Sequence, residues 1–170
     1  TTFTYTPSTW TNGNVQVGIT TTVTGYTLQY SIDGNTWSPY TGVITATYYN
    51  EAIYARLWDG ANYGGTATAN VTNIDKINPS ITLSQDAGTT ARIITVNAVD
   101  AGSGINVIQY NNAGTWQNLT TSDIEIGKSA TQTVYLNGTY TFRTIDNVGN
   151  TSSQSITVTG VTPTISNFVG

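Results

Sequence analysis

The sequence predicts an all-β fold made of two tandem antiparallel β-sandwich domains. Apolar and polar residues alternate with a period of two along most of the chain, and Gly, Asn and Asp bound the alternating segments. No window longer than about ten residues shows the spacing of an amphipathic helix. The stretches RLWDGANYGGTATANVTNIDKINP, from Arg56 to Pro79, and RTIDNVGNTSSQSITVTGVTP, from Arg143 to Pro163, share one pattern, which indicates a repeat within the 170 residues.

Six strands are expected in each half of the chain. In the first half they are Thr2–Thr6, Val15–Thr22, Tyr26–Ile32, Val43–Tyr48, Ala52–Trp58 and Thr66–Thr72. In the second half they are Ser80–Ser84, Ala91–Val99, Ile105–Tyr110, Thr131–Leu136, Thr139–Ile145 and Ser153–Thr159. Short strands with turn signals about every 8 to 12 residues are typical of an immunoglobulin-like sandwich.

Two matching hairpins relate the halves. LQYSIDGNTW, from Leu28 to Trp37, aligns with IQYNNAGTW, from Ile108 to Trp116. Their turns, Asp-Gly-Asn in the first copy and Asn-Ala-Gly in the second, supply the positive φ angles that tight hairpins need. We expect the Tyr and the Trp of each copy to reach across their hairpin.

The segment after each hairpin is also repeated. AIYARLWD matches GTYTFRTID, so Arg56 aligns with Arg143 and Asp59 with Asp146. Each of these segments is expected to be the F strand of a sandwich, followed by the F–G turn and the G strand. The segment LNGTY, ending at Tyr140, predicts a tyrosine corner, in which the Tyr hydroxyl bonds to the chain just upstream.

The motifs INPSITLS, VDAGSGI, YNNAGTW, LNGTYTFRTIDNVGNTSSQSITV and SIDGNTWSPYTG resemble the tandem bacterial immunoglobulin-like repeats, fibronectin-III-like in places, of extracellular and cell-surface proteins of Gram-positive bacteria. The resemblance covers nearly the whole chain. It implies a sandwich for each copy and a role as a spacer, stalk, adhesive or assembly module. The first copy has VTGYTL where the second has VDAGSGI, so a role of that loop need not be shared.

The expected domains are residues 1–77 and 78–162. Residues 163–170 are expected to begin a further repeat or to form an exchanged strand. Ile77, Pro79 and Val161 are assigned to short linkers that limit bending. The chain lacks Met, which predicts a processed protein or a piece of a longer one.

Charge and hydropathy exclude two classes of partner. The net charge is −4, and the five basic residues are scattered, whereas nucleic acid requires a clustered basic surface. No apolar run approaches the roughly 20 residues of a membrane helix, so no membrane insertion is expected. A surface rich in Thr and Asn and poor in charge favours an extracellular, secreted or cell-surface location.

Asp100, Asp146 and Asn147 are candidate calcium ligands, because hard cations prefer carboxylate and carbonyl oxygens. An isolated Asp in a Gly- or Ser-rich loop more commonly caps its own turn. We therefore predict turn caps, and no metal or cofactor site.

Aromatic residues give a candidate sugar-binding surface. Trp37 and Trp116 recur at equivalent positions, which favours a packing role in the core. Trp10 and Trp58 have no counterpart in the second copy and are the better candidates for a surface site. Further aromatic candidates are Tyr26, Tyr40, Tyr48, Tyr49 and Tyr63.

Catalysis and covalent crosslinking are not expected. The chain has no His or Cys, so the common general base and thiol nucleophile are missing. A paired-carboxylate hydrolase would have to use Asp33, Glu51 and Asp59, which fall in turns and strand ends. A Lys–Asn isopeptide bond would need a buried Lys, whereas Lys76 and Lys128 are expected in a linker and a turn. Glycosylation sequons lie at Asn70, Asn118, Asn137 and Asn150.

The sequence thus predicts a structural spacer, stalk or assembly module without enzymatic activity, with neighbouring repeats or other copies of itself as partners. One alternative is a filament subunit, in which TISNFVG or the N-terminal TTFTYT completes the sheet of a neighbouring copy by β-strand addition. The other is a carbohydrate-binding adhesive module that uses Trp10 or Trp58 to bind cell-surface glycans.

Overall fold

A computed structural model of the chain describes residues 1–165. The chain divides into two compact units, unit 1 from Thr1 to Lys76 and unit 2 from Ile77 onward. Most of the segment 163–170, expected to start a further repeat or to form an exchanged strand, lies outside the described residues. Within the described part, no helix has the length and apolar character required to cross a membrane.

Unit 1 contains seven strands. They are β1 (Thr2–Thr6), β2 (Val15–Thr20), β3 (Thr27–Ser31), β4 (Ser38–Pro39), β5 (Ile44–Ala46), β6 (Glu51–Trp58) and β7 (Ala67–Val71). One antiparallel sheet has the order β1-β2-β5 and the other the order β4-β3-β6-β7. In the letters used for immunoglobulin-like sandwiches these sheets are A-B-E and C′-C-F-G.

The core of unit 1 follows from strict alternation in two facing strands. In β2 the residues Val15, Val17 and Ile19 point inward, and in β6 Ile53 and Ala55 do so. These side chains form one buried cluster with residues of β5 and β7, so each sheet covers the apolar face of the other.

The described part of unit 2, residues 77–165, contains eight strands. They are β8 (Ser80–Gln85), β9 (Arg92–Val99), β10 (Ile105–Asn112), β11 (Thr115–Asn118), β12 (Ser122–Ile124), β13 (Gly127–Val134), β14 (Gly138–Asp146) and β15 (Thr151–Val158). The sheets have the orders β12-β13-β9-β8 and β11-β10-β14-β15, which are D-E-B-A and C′-C-F-G. All pairings are antiparallel.

The core of unit 2 is centred on Phe142 of β14, which is fully buried. Ile94 and Val96 of β9 and Ile108 of β10 are fully buried in the same cluster, which thus joins the two sheets. Val161, which the sequence assigned to a short linker, is buried in this core. Its N–H donates to Oδ1 of Asn137 at 2.8 Å.

The predicted tyrosine corner is confirmed in unit 2, where the hydroxyl of Tyr140 donates to the carbonyl of Leu136 at 2.7 Å. Ile53 takes the equivalent place in unit 1 and is fully buried. The E–F turn of unit 1 is fixed instead by Glu51, whose Oε2 accepts a hydrogen bond from the N–H of Thr47 at 2.7 Å.

The strand predictions were wrong at several strand ends and missed three short strands. β13 begins at Gly127 and not at Thr131, because it pairs with β9 along its whole length. Tyr48 lies in a turn after β5. The short strands β4, β11 and β12 were not assigned, since edge strands of two to four residues are too short to display an alternation.

Candidate functional site

The repeated Arg of the F strands occupies the outer face of the C′-C-F-G sheet, the face turned away from the core, in both units. The register pairs Arg56 with Gln29 and Arg143 with Gln109, so each Arg lies beside a Gln of the neighbouring C strand. Nε of Arg56 donates to Oε1 of Gln29 at 2.7 Å, and Nε of Arg143 donates to Oε1 of Gln109 at 2.6 Å. The sequence repeat therefore has a repeated contact as its structural counterpart.

The recurring Trp of each hairpin packs on this Arg and not in the core. The guanidinium of Arg56 lies 4.1 Å from the ring centroid of Trp37, and that of Arg143 lies 4.2 Å from the ring centroid of Trp116. Both distances are within the range of a cation–π interaction. The prediction of a core position for these two Trp residues was wrong.

The expectation that Tyr and Trp meet across each hairpin was also wrong, and the pleat explains why. Tyr30 pairs with Ser38, so Trp37, one position earlier, projects from the opposite face. Tyr30 and Tyr110 accordingly pack against the cores. The turn prediction itself holds in the second copy, where Ala113 and Gly114 have φ of 52° and 89°.

Unit 1 adds a second ring to its stack. The ring centroid of Tyr63 lies 4.2 Å from the guanidinium of Arg56, and Tyr63 is 64% exposed. Tyr54 and Trp58, two residues before and after Arg56, project from the same outer face and are half-buried. We call the group of Gln29, Trp37, Arg56 and Tyr63 the Arg56 stack.

Neither stacked Arg has a counter-ion within residues 1–165. The ion pairs of this part of the chain join Arg92 to Asp86 at 4.0 Å and Lys128 to Asp123 at 2.9 Å. The guanidinium groups of Arg56 and Arg143 are thus stabilised by rings and amides without a carboxylate.

The remaining aromatic candidates divide between surface and framework. Trp10 is 40% exposed and lies parallel to Tyr49, with ring centroids 6.2 Å apart and 6° between the planes. Tyr48, Tyr49 and Tyr26 are exposed. Tyr40 is part of the framework, because its hydroxyl accepts a hydrogen bond from the N–H of Ile19 at 3.0 Å.

The three acids considered for hydrolysis each organise a turn. Oδ1 of Asp33 accepts hydrogen bonds from the N–H groups of Thr36 and Asn35, which hold the pKa of that carboxyl well below its usual range. The N–H groups of Asn62 and Ala61 lower the pKa of Asp59 in the same way.

Glu51 and Asp59 also lie far apart, at opposite ends of β6. The length of that strand separates them by about 25 Å. Glu51 and Asp59 therefore do not form a pair for hydrolysis.

Asp100 and Asp146 are close together and buried in the B–C and F–G loops of unit 2. Their carboxylate oxygens lie within 4.8 Å of each other, and the two residues are 8% and 1% exposed. Oδ2 of Asp100 accepts a hydrogen bond from the N–H of Gly104 at 2.6 Å. Two carboxylates at this spacing offer oxygen ligands of the kind that a hard cation prefers.

Asp146 is also a turn cap, as the sequence predicts. Its Oδ1 accepts hydrogen bonds from the N–H groups of Val148 at 2.9 Å and Asn150 at 2.8 Å. Nδ2 of Asn150 donates to Oδ2 at 2.7 Å. The amide of Asn147 is used elsewhere, since its Nδ2 donates to the carbonyl of Ser103 at 2.8 Å and so joins the two loops.

Both lysines considered for a crosslink are on the surface. Nζ of Lys76 donates to Oδ1 of Asn14 and to the carbonyl of Thr47, each at 2.7 Å, and the residue is exposed. Lys128 lies on β13 and not in a turn, where it forms the ion pair with Asp123.

Among the sequons, Asn70 and Asn118 lie exposed on strands. Nδ2 of Asn137 instead donates to the carbonyl of Val161 at 3.1 Å, so a glycan there would break a contact that orders the end of unit 2.

The fold defines a pair of immunoglobulin-like β-sandwich domains. No family model matches the chain, and no curated protein matches it in sequence. Among solved structures it is similar to the chicken interferon gamma receptor alpha chain, with 10% identity, a TM-score of 0.37, and coverage of 93% of this chain and 97% of that one. A likeness at this level carries no argument about function.

Proposed function

We propose that the chain is a structural spacer or assembly module of a bacterial extracellular or cell-surface protein, whose task is to transmit tension. The sequence resemblance favours this role. The observation that carries it is a clamp in unit 2 between the A strand, which begins the sandwich, and the G strand, which ends it.

Arg92 of β9 is the centre of this clamp. Its guanidinium donates to Oε1 of Gln85, at the end of β8, at 2.9 Å and to the carbonyl of Thr159, just after β15, at 2.9 Å. Nε2 of Gln85 donates to the carbonyl of Thr157 at 3.1 Å. The A and G strands belong to different sheets, so these side chains join the two sheets at the end of β15, where force would leave the unit.

The backbone ladders supply the rest of the resistance. β8 pairs with β9 from Ser80 to Gln85, and β14 pairs with β15 from Gly138 to Ile145. A pull along the strands would have to break several ladder hydrogen bonds together with the clamp.

Single-molecule pulling on the full chain tests the proposal. We expect Arg92→Ala to lower the mean unfolding force of unit 2, whereas Lys128→Ala, which removes an exposed ion pair, leaves it unchanged. The two unfolding events are distinguished by length, since Ser80 to Val158 releases about 30 Å more chain than Thr2 to Val71. An unfolding force unaffected by Arg92→Ala, or lowered equally by both variants, contradicts the tension-bearing role.

In the filament alternative, one of the two candidate donor segments is already part of a sheet of its own unit. The N-terminal TTFTYT contains β1, which already pairs with β2 over five residues of its own sheet. Sedimentation of the full chain and of a chain lacking residues 164–170 separates the remaining possibilities. Monomers in both cases support the spacer, and polymers that disappear with the deletion support strand addition by the tail.

A sugar-binding role is a second candidate, favoured by the exposed, parallel rings of Trp10 and Tyr49. Trp10→Ala should then abolish glycan retention without lowering the stability of unit 1. Absence of binding across a broad glycan array would remove this candidate.

A further inference from the structure

We propose that the Arg56 stack is a binding site for the carboxylate of a sugar acid, a hexuronate within an acidic polysaccharide. The site lies on the outer face of the C′-C-F-G sheet of unit 1. It is separate from the tension-bearing clamp of unit 2 and from the Trp10–Tyr49 pair.

The guanidinium of Arg56 is held in place before any ligand arrives. The rings of Trp37 and Tyr63 cover its two faces at 4.1 and 4.2 Å, and Nε is bonded to Gln29, which is only 8% exposed. Binding of a ligand would therefore cost little side-chain entropy. In a mobile surface Arg, by contrast, the loss of side-chain entropy opposes the formation of an ion pair.

The terminal nitrogens of Arg56 remain available. Within residues 1–165, Nε is the guanidinium nitrogen of Arg56 that has a hydrogen-bond partner, and no carboxylate lies within 4.0 Å of the group. The two stacked faces leave the edge formed by the terminal nitrogens as the direction of approach. A carboxylate fits such an edge with two parallel hydrogen bonds.

The surroundings of Arg56 favour a sugar acid over an acidic peptide. Tyr54 and Trp58 flank it along β6 at a spacing of about 7 Å, so aromatic rings lie on both sides of one positive charge. A hexuronate offers one carboxylate per ring and an apolar C–H face that can pack on an aromatic side chain. The carboxylate of an acidic peptide ends a short aliphatic side chain, which has no ring face of this kind to pack on Tyr54 or Trp58.

Unit 2 provides an internal control. Arg143 has the same Gln and Trp contacts, but no second ring lies over its guanidinium in the described part of unit 2. Its other face is therefore not covered by a ring, and the geometry assigns the site to unit 1 alone.

The experiment is a titration of the full chain with tri-galacturonate, followed by the indole N–H signals of the Trp residues in NMR spectra. The matched neutral probe is the methyl ester of the same trisaccharide. We expect saturable shifts of Trp37 or Trp58 with the acid and none with the ester. Arg56→Lys, which keeps the charge but removes the two-pronged edge, should weaken binding at least about tenfold.

Two further variants keep the test decisive. Arg143→Lys should leave the affinity unchanged, and Tyr63→Leu should weaken it, since Tyr63 is mostly exposed and its loss should not unfold unit 1. Thermal unfolding of each variant confirms that the fold is retained. Equal binding of the ester, equal binding of a tri-glutamate peptide, an equal effect of Arg143→Lys, or no saturable shift at millimolar ligand would overturn the proposal.

Discussion

The contact between Arg143 and Trp116 should be measurable as a coupling energy in unit 2. Replacing Arg143 with Met keeps most of the aliphatic stem, and replacing Trp116 with Leu removes the aromatic face. If the contact at 4.2 Å is an attractive cation–π interaction, the double variant should be more stable than the sum of the single effects predicts.

The structure sets the size of this coupling at about 1 kcal/mol. Exposed pairs give about 0.5–1 kcal/mol and desolvated pairs about 2 kcal/mol, and both partners here are half-buried. The hydrogen bond from Arg143 to Gln109 fixes the guanidinium over the ring in the wild-type chain. The Arg is therefore already oriented, which favours the upper part of the exposed range.

Amide hydrogen exchange, read by mass spectrometry on peptides from β10 and β14, is the suitable assay, because it reports on unit 2 directly. A coupling of 1 kcal/mol corresponds to about a fivefold deviation from additivity in the protection factors. Additivity within about 0.3 kcal/mol would mean that the rings and guanidinium are merely adjacent, and the interpretation of the repeated stack as a stabilising contact would fail.

Three other outcomes follow from the contacts of the turns and the corner. Tyr140→Phe should lower the stability of unit 2 by about 1 kcal/mol in urea unfolding, since the carbonyl of Leu136 loses its donor. Asp146→Ala should cost about 3 kcal/mol in the same assay, because the N–H of Asn150 and its neighbours lose a charged acceptor. The folded-state pKa of Asp33 is lowered, so its carboxylate stabilises unit 1 at pH values above the unfolded pKa of about 3.9. This contribution is lost as the pH falls below that value. Asp33→Asn should therefore reduce the drop in the urea unfolding midpoint of unit 1 between pH 5 and pH 3.

Alternation and turn chemistry were sufficient to predict most of the fold. The segment Thr2–Thr6 was predicted with its observed bounds, and the F strands were aligned correctly from the Arg and Asp that they share. The tyrosine corner followed from the short motif LNGTY. These features depend on neighbours in sequence, and such local preferences are visible in one chain.

The site was predicted less well because it depends on which face a residue occupies. The sequence does contain a signal for the face that Arg56 occupies. Ile53 and Ala55 are apolar and must point inward, so Arg56, the next residue, must point outward. A Trp in the core could not contact it there. The same alternation of side chains between the two faces, counted along the hairpin, would have predicted Trp37 on the outer face. Asp100 and Asp146 were grouped from the sequence as candidate ligands, but their approach within 4.8 Å depends on how the two loops close and not on a local pattern.

The cap at Asp146 has a consequence for how the F–G loop of unit 2 can change. The carboxylate of Asp146 accepts hydrogen bonds from the backbone N–H groups of Val148 and Asn150. Gly149, between them, has a φ of 95°, which few other residues adopt. The cap therefore contacts the N–H of residue 148 and not its side chain. Substitutions at that position, by drift or by design, should leave the cap in place as long as Asp146 and Gly149 are kept.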